Sequence, residues 1–278
     1  MNARRARVAV AVAAAICLGL TACSSASSPG TAGNGNPKLK IGIKFDQPGL
    51  GLKQADKYTG LDVDVATYIA GKLGTQPADI TWVQAPSAQR ETLIGTGQVD
   101  LVVATYSITD SRKEKVSFAG PYFIAGQDLL IRSDETAITG PQTLAGKRLC
   151  SVKGSTSAQK VHDTYPQVQL QEFGTYSECV AALVAKGVDA LTTDDTILAG
   201  YAAQEQYRGK LKVVGKTFSE ERYGVGLKKG DTAMCQKVTD AIKAMISDGT
   251  WQKAVDENLG AAGYTPGPDN PPTPDPCA

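Results

Sequence analysis

Three stretches of the 278-residue chain hold side chains with chemistry to offer. In Ser107-Ile108-Thr109-Asp110-Ser111-Arg112-Lys113, Thr109 is placed to cap a following helix, which leaves free backbone N–H groups and a positive helix end. Arg112, in the same stretch, offers a two-pronged guanidinium to a carboxylate. In Gly154-Ser155-Thr156 a strand gives way to a helix start, a second place that favours an anion, with Ser155 as its natural cap. Asp194 follows the apolar run Val188 to Thr193, where a carboxylate is able to enter a cleft and take an ammonium; its neighbour Asp195 is better placed to begin a helix. This is chemistry of holding charge rather than breaking bonds. The single histidine, His162, lies in the polar stretch Lys160 to Thr164, no Ser/His or Cys/His couple stands out, and no Cys-x-x-Cys suggests a metal site or a cofactor.

The cysteines place the chain in a compartment. Leu20-Thr21-Ala22-Cys23 ends an apolar run that follows Arg4, Arg5 and Arg7, the pattern of a bacterial lipoprotein signal. Cleavage before Cys23 makes residues 1–22 a signal peptide and leaves that thiol to carry diacylglycerol, so the mature chain is expected on the outer face of the cell membrane. Residues 23–37, rich in Ser, Gly, Thr, Ala, Asn and Pro, read as a tether reaching about 20 Å. Val8 to Leu20 is too short to span a bilayer, and no later segment supplies the ~20 apolar residues that spanning needs. Without the signal, Lys plus Arg falls from 29 to 26 against 28 Asp plus Glu, which points away from nucleic acid and anionic membrane surfaces. Cys17 leaves with the signal. Cys150, Cys179, Cys235 and Cys277 remain, with three pairings open; Cys150 with Cys179 and Cys235 with Cys277 is favoured because sequence neighbours close within one lobe.

The elements that must position these residues alternate between strand and helix. Leu39, Ile41, Ile43 and Phe45 alternate as a strand, and Leu61, Val65, Tyr68, Ile69 and Leu73 recur at helical spacing behind Asp62 and Asp64, whose charge suits a helix N-terminus. Ile80 to Val83 reads as a strand, Ser87 to Gly95 as a helix, and Val99 to Ala104 as a buried parallel strand. Tyr122 to Ile131 is extended and leads to a second set: strands Arg148 to Val152, Val168 to Phe173 and Val188 to Thr193, with helices from Ser155, Ser177 and Asp195. A strand Tyr223 to Leu227, a helix to about Asp248 and a short helix Thr250 to Asn258 complete the pattern. Prolines keep the tail from Tyr264 to Cys277 irregular. Two such sets imply two α/β lobes.

Gly60-Leu61-Asp62-Val63-Asp64-Val65, Gly97-Gln98-Val99-Asp100-Leu101, Ser107 to Lys113, and Tyr223-Gly224-Val225-Gly226-Leu227-Lys228-Lys229-Gly230 together resemble the signatures of the polar amino-acid binding proteins of ABC importers. With Phe45-Asp46-Gln47-Pro48-Gly49 and the four mature cysteines, the chain is most similar to the glutamate-binding lipoproteins of actinobacteria. The resemblance implies a type II periplasmic-binding-protein fold, a Venus flytrap of two α/β lobes joined by a two-strand hinge. Lobe 1 would comprise residues 38–125 and 223–278, and lobe 2 residues 126–222. It also implies a monomeric, non-enzymatic receptor that binds glutamate, then glutamine or aspartate, and hands it to an importer's permease.

A free amino acid brings a carboxylate, an ammonium and a side chain, each of which a burying receptor must satisfy. The resemblance assigns the α-carboxylate to Arg112, with Thr105, Ser107 and Thr109 adding hydroxyl or main-chain contacts and Thr156 closing from the second lobe. The ammonium goes to Asp194. Dicarboxylate binders of the family carry an arginine where this chain has Arg90, and Lys44 and Lys153 would add positive charge. Gln47 sits on the loop that usually meets the ligand, where Gly49 and Gly51 replace the aromatic bulk of many relatives. Two other classes compete: an amino-acid-sensing lipoprotein with the same binding chemistry, and a flytrap enzyme using acids such as Glu91 or Glu172.

Overall fold

The computed structural model describes residues 37–277, so the expected signal peptide, almost all of the expected tether and the expected lipidation at Cys23 lie outside the described residues. The chain opens with β1 (Leu39–Ile43), followed by three short strands, β2 (Asp46–Gln47), β3 (Gly51–Gln54) and β4 (Lys57–Thr59), that pair antiparallel into a miniature sheet. Helix α1 (Leu61–Lys72) buries Leu61, Val65 and Ile69, the i, i+4, i+8 stripe read from the sequence. Then come β5 (Ile80–Gln84), a 3-10 turn at Ser87–Gln89 that runs into α2 (Arg90–Gly95), β6 (Leu101–Val102), α3 (Asp110–Lys113) and β7 (Ser117–Ala125).

The chain then changes sheet. β8 (Gln127–Arg132), β9 (Arg148–Val152), α4 (Thr156–Thr164), β10 (Gln169–Phe173), α5 (Tyr176–Val184), β11 (Ala190–Asp194), α6 (Asp195–Ala203) and β12 (Leu211–Val213) form a second layered unit. β13 (Glu221–Leu227) returns to the first sheet, and α7 (Thr232–Ser247) and α8 (Thr250–Leu259) pack there. The strand orders are β5-β1-β6-β13-β7 and β10-β9-β11-β8-β12. In each, four strands run the same way and one, β13 in the first sheet and β8 in the second, runs antiparallel between two of them, giving the two α/β lobes of a flytrap.

Both sheets are covered on two faces. Ile41, Ile43, Leu101 and Val225 bury against α1, α7 and α8, whereas Val102, Leu93, Ile94 and Tyr106 build a separate cluster on the opposite side. In the second lobe Cys150, Val152 and Leu191 face one way and Leu129, Ile131 and Leu149 the other. Each fully buried aliphatic contributes roughly 1.5–3 kcal/mol. Cys150 is joined to Cys179, tying β9 to α5, and Cys235 to Cys277, tying α7 to the tail. Closing loops of this length stabilises by roughly 4 kcal/mol each in the chain-entropy account.

One sequence expectation is corrected. Val99 to Ala104 is a ladder only at Leu101 and Val102, because the chain leaves the sheet to reach a left-handed Thr105 at φ 44°. Tyr122 to Ile131 is two strands in two sheets, broken at Gly126. A Cβ there would lie 2.7 Å from the Thr217 Cβ and 2.9 Å from the Ser219 carbonyl, so only glycine lets the outgoing and returning segments pass so closely. Just before the break the two crossovers pair as Ala125 with Glu221 and Ile124 with Arg222.

Candidate functional site

The loop after β6 supplies one wall of the cleft. Thr109 caps α3 by accepting the Arg112 N–H at 3.3 Å, as its position before a short helix suggested. Arg112, 8% exposed, donates from Nη1 to the Ser107 carbonyl (2.8 Å) and from Nη2 across the cleft to the Gly154 carbonyl (3.1 Å). Its Nε lies 3.6 Å from Glu91, and its guanidinium faces the Tyr106 ring. A Cβ on Gly154 would meet the Ala88 Cα at 2.8 Å, so this glycine permits the close approach of the two lobes.

Deeper in the first lobe lie two more cations. Arg90 is 2% exposed; its Nη1 donates to the Ala104 carbonyl at 3.0 Å and reaches Thr105 at 3.4 Å, while the guanidinium stacks 4.1 Å from the centre of Tyr106. Burial, and then the neighbouring Arg112, pull its pKa down to about 10. Lys44, 4% exposed, donates to the Ser87 hydroxyl at 2.8 Å. Burial, with Arg90 adding repulsion, pulls this amine down to about 7. The fully buried Gln47 accepts the Thr105 hydroxyl on Oε1 at 3.2 Å, and its Nε2 has no partner. Arg90 Nε is likewise buried without a partner. Such orphaned groups cost about 1–3 kcal/mol each unless something with complementary atoms meets them.

The second lobe answers with carboxylates and hydroxyls. Ser155 caps α4 through the Ala158 N–H, leaving the Thr156 hydroxyl to donate to Glu221 at 2.9 Å and to sit 3.4 Å from Ser107. Asp194 is the N-cap residue of α6 but makes no side-chain cap bond; Asp195 begins the helix and accepts the Thr196 N–H at 2.8 Å. The freed Asp194 carboxylate accepts the Tyr223 hydroxyl at 2.6 Å. Burial, reinforced by the charge of Glu221, holds its pKa well above the ordinary range. Both acids are therefore held by hydroxyls, and a cation between them would relieve their repulsion.

Arg112, Ser107, Thr109 and Thr156 line a groove of about 680 Å³, Thr109 also capping α3, whereas Arg90, Lys44, Thr105, Gln47 and Asp194 are buried and do not line it. Lys153 is exposed and lines the same groove. His162 is exposed beside Glu172. Among the described residues no His, Cys, Asp and Glu cluster is arranged to hold a metal. Glu221 was missed because Glu220-Glu221-Arg222 reads as ordinary surface charge, although Glu221 is 4% exposed. Asp46, beside Gln47, has a different part in the cleft wall. It bridges the lobes, accepting Ser177 N–H at 3.1 Å and the Tyr201 hydroxyl.

Residues 39–261 match the family described as bacterial extracellular solute-binding proteins, family 3. Over 236 residues the chain is 49% identical to the glutamate-binding protein GluB of Corynebacterium glutamicum, which spans 81% of this chain and 79% of that protein. It is 34% identical over 220 residues to the glutamine-binding protein GlnH of Bacillus subtilis, covering 78% of this chain and 80% of that one. Among solved structures, an ancestral arginine-binding protein bound to glutamine superposes with a TM-score of 0.75 at 32% identity, over 80% of this chain and 98% of that chain.

Proposed function

Because the chain belongs to the family 3 bacterial extracellular solute-binding proteins and binds an amino acid in that capacity, we propose that its ligand is glutamate, delivered to the permease of an ABC importer from a lipid-anchored position on the cell membrane. One observation carries the choice of ligand. Three cations, Lys44, Arg90 and Arg112, are buried, the charges of Arg90 and Arg112 helping to lower the Lys44 pKa and that of Arg112 the Arg90 pKa, and two carboxylates, Asp194 and Glu221, are buried as well. An amino acid with two carboxylates and one ammonium offsets both groups; glutamine offers one carboxylate fewer.

The α-carboxylate meets Arg112, the Ser107 region and Thr156; the side-chain carboxylate meets Arg90 and Lys44; the ammonium meets Asp194. Residues 38–125 with 223–278, and 126–222, act as the two bodies that close, since each alone satisfies only part of the ligand and binding favours the closed arrangement. Similarity to GluB of Corynebacterium glutamicum supports this reading, and the lipobox at Cys23 supports the anchor. Titration calorimetry with glutamate, glutamine, aspartate and arginine tests the ligand. Glutamate is expected to bind at least about tenfold more tightly than glutamine, the worth of one charge-assisted contact; preference for arginine or equal affinity for all four would refute it.

A further inference from the structure

Asp62 was singled out as negative charge at a helix N-terminus, yet it does no capping. The first N–H groups of α1 are taken by backbone: Leu61 donates to the Gly49 carbonyl and Asp62 to the Leu50 carbonyl, both at 3.0 Å. The Asp62 side chain is completely buried and turns away to two other donors. Its Oδ2 accepts the backbone N–H of Thr105 at 3.0 Å, and its Oδ1 accepts the Tyr122 hydroxyl at 2.6 Å.

Thr105 needs such a partner. It is β-branched with φ 44°, a conformation that costs on the order of 1–3 kcal/mol for a side chain of this kind and persists only where surroundings enforce it. Everything Thr105 presents to the cleft depends on that turn. Its carbonyl and that of Ala104 hold Arg90, and its hydroxyl meets Gln47. Near neutral pH Asp62, pushed up to about 6 by burial, stays ionised and so accepts from both donors.

We infer that Asp62 is a positioning residue: through the Thr105 amide it fixes the strained turn that sets Arg90 and Gln47 for the ligand. The inference rests on the amino-acid-binding reading above for its consequence, but not for its geometry.

The experiment compares wild type, Tyr122→Phe, Asp62→Asn and the double variant Asp62→Leu with Tyr122→Phe, each titrated with glutamate and glutamine and melted by circular dichroism. The double variant removes the Thr105 acceptor without orphaning the tyrosine hydroxyl. It should bind both ligands about 10- to 100-fold more weakly, the worth of a hydrogen bond to a charged group. Asp62→Asn, which keeps an oxygen for Thr105, should recover most of the affinity. Tyr122→Phe should bind nearly as wild type even where its melting temperature falls. Affinity that simply follows melting temperature across the series, or wild-type binding by the double variant, overturns the inference.

A second measurement needs no variant. In the wild type the Thr105 amide, which belongs to no strand ladder, should exchange slowly with solvent; exchange at the rate of an exposed loop amide overturns the inference equally. If wild type takes up neither glutamate nor glutamine, the glutamate reading fails on its own, and Thr105 exchange still decides the role of Asp62.

Discussion

Lys44 makes glutamate binding depend on pH in a way that can be worked out in advance. Its amine sits at about 7 in the free protein, lowered by burial and by Arg90. A ligand carboxylate placed beside it favours the charged form, so by linkage the affinity tracks the fraction of free protein in which Lys44 already carries its proton. That fraction is roughly three-quarters at pH 6.5 and about 3% at pH 8.5, so the affinity for glutamate should fall roughly 25-fold over this interval. The sign for the fold is the reverse. A lysine whose folded pKa is depressed opposes folding most where it is charged, so the free protein gains stability from this residue as pH rises above 7 toward its unfolded value. Calorimetry in buffers of different ionisation enthalpy, at pH values from 6.5 to 8.5, reads both the affinity and the proton taken up. Lys44→Gln should bind glutamate more weakly at pH 6.5 and show little of the slope, and glutamine should show little of it in the wild type. An affinity for glutamate that stays flat across the interval, or a slope that survives in Lys44→Gln, would refute the placement of Lys44 against the ligand's side chain.

Arg112→Ala should raise the dissociation constant for every amino-acid ligand by more than about 100-fold, since removing one partner of a buried pair costs roughly 3–5 kcal/mol, with circular dichroism unchanged. Arg90→Ala should weaken both glutamate and glutamine, because Arg90 also holds the Ala104 and Thr105 carbonyls, but glutamate by about tenfold more; equal losses would reduce Arg90 to a support of the loop. Replacing Cys150 and Cys179 by serine should cost up to roughly 4 kcal/mol of stability in chemical denaturation while leaving the order of ligand preference intact, because the bond lies within the second sheet's unit.

What the sequence made legible follows from local pattern. The Leu61, Val65, Ile69 stripe, the apolar strands Arg148–Val152 and Ala190–Asp194, and the caps at Thr109 and Ser155 are each settled by residues within a few positions of one another. The miniature sheet of β2, β3 and β4 escaped because Gly49, Gly51, Lys53 and Gln54 carry neither alternation nor β-branched residues. The three-residue β12 is simply too short to give a period. Val99 to Ala104 was read as too long a strand because the helices covering both faces of the sheet keep its side chains apolar even where the ladder has ended.

In the cleft, types and order were readable, but depth was not. Lys44 and Lys153 stood on equal terms as strand-end lysines, and only the tertiary fold buries one and exposes the other. Contacts such as Asp46 with Tyr201, 155 positions apart, leave no local trace at all. Asp62 was read for its position on a helix when its partners lie 43 and 60 residues away.

A crystal structure of the protein with glutamate tests the central claim most directly. The α-carboxylate is expected within hydrogen-bond distance of Arg112 and Thr156, the ammonium on Asp194, and the side-chain carboxylate against Arg90 and Lys44. Glutamate bound elsewhere, or in the cleft with its side-chain carboxylate turned away from both Arg90 and Lys44, would contradict it.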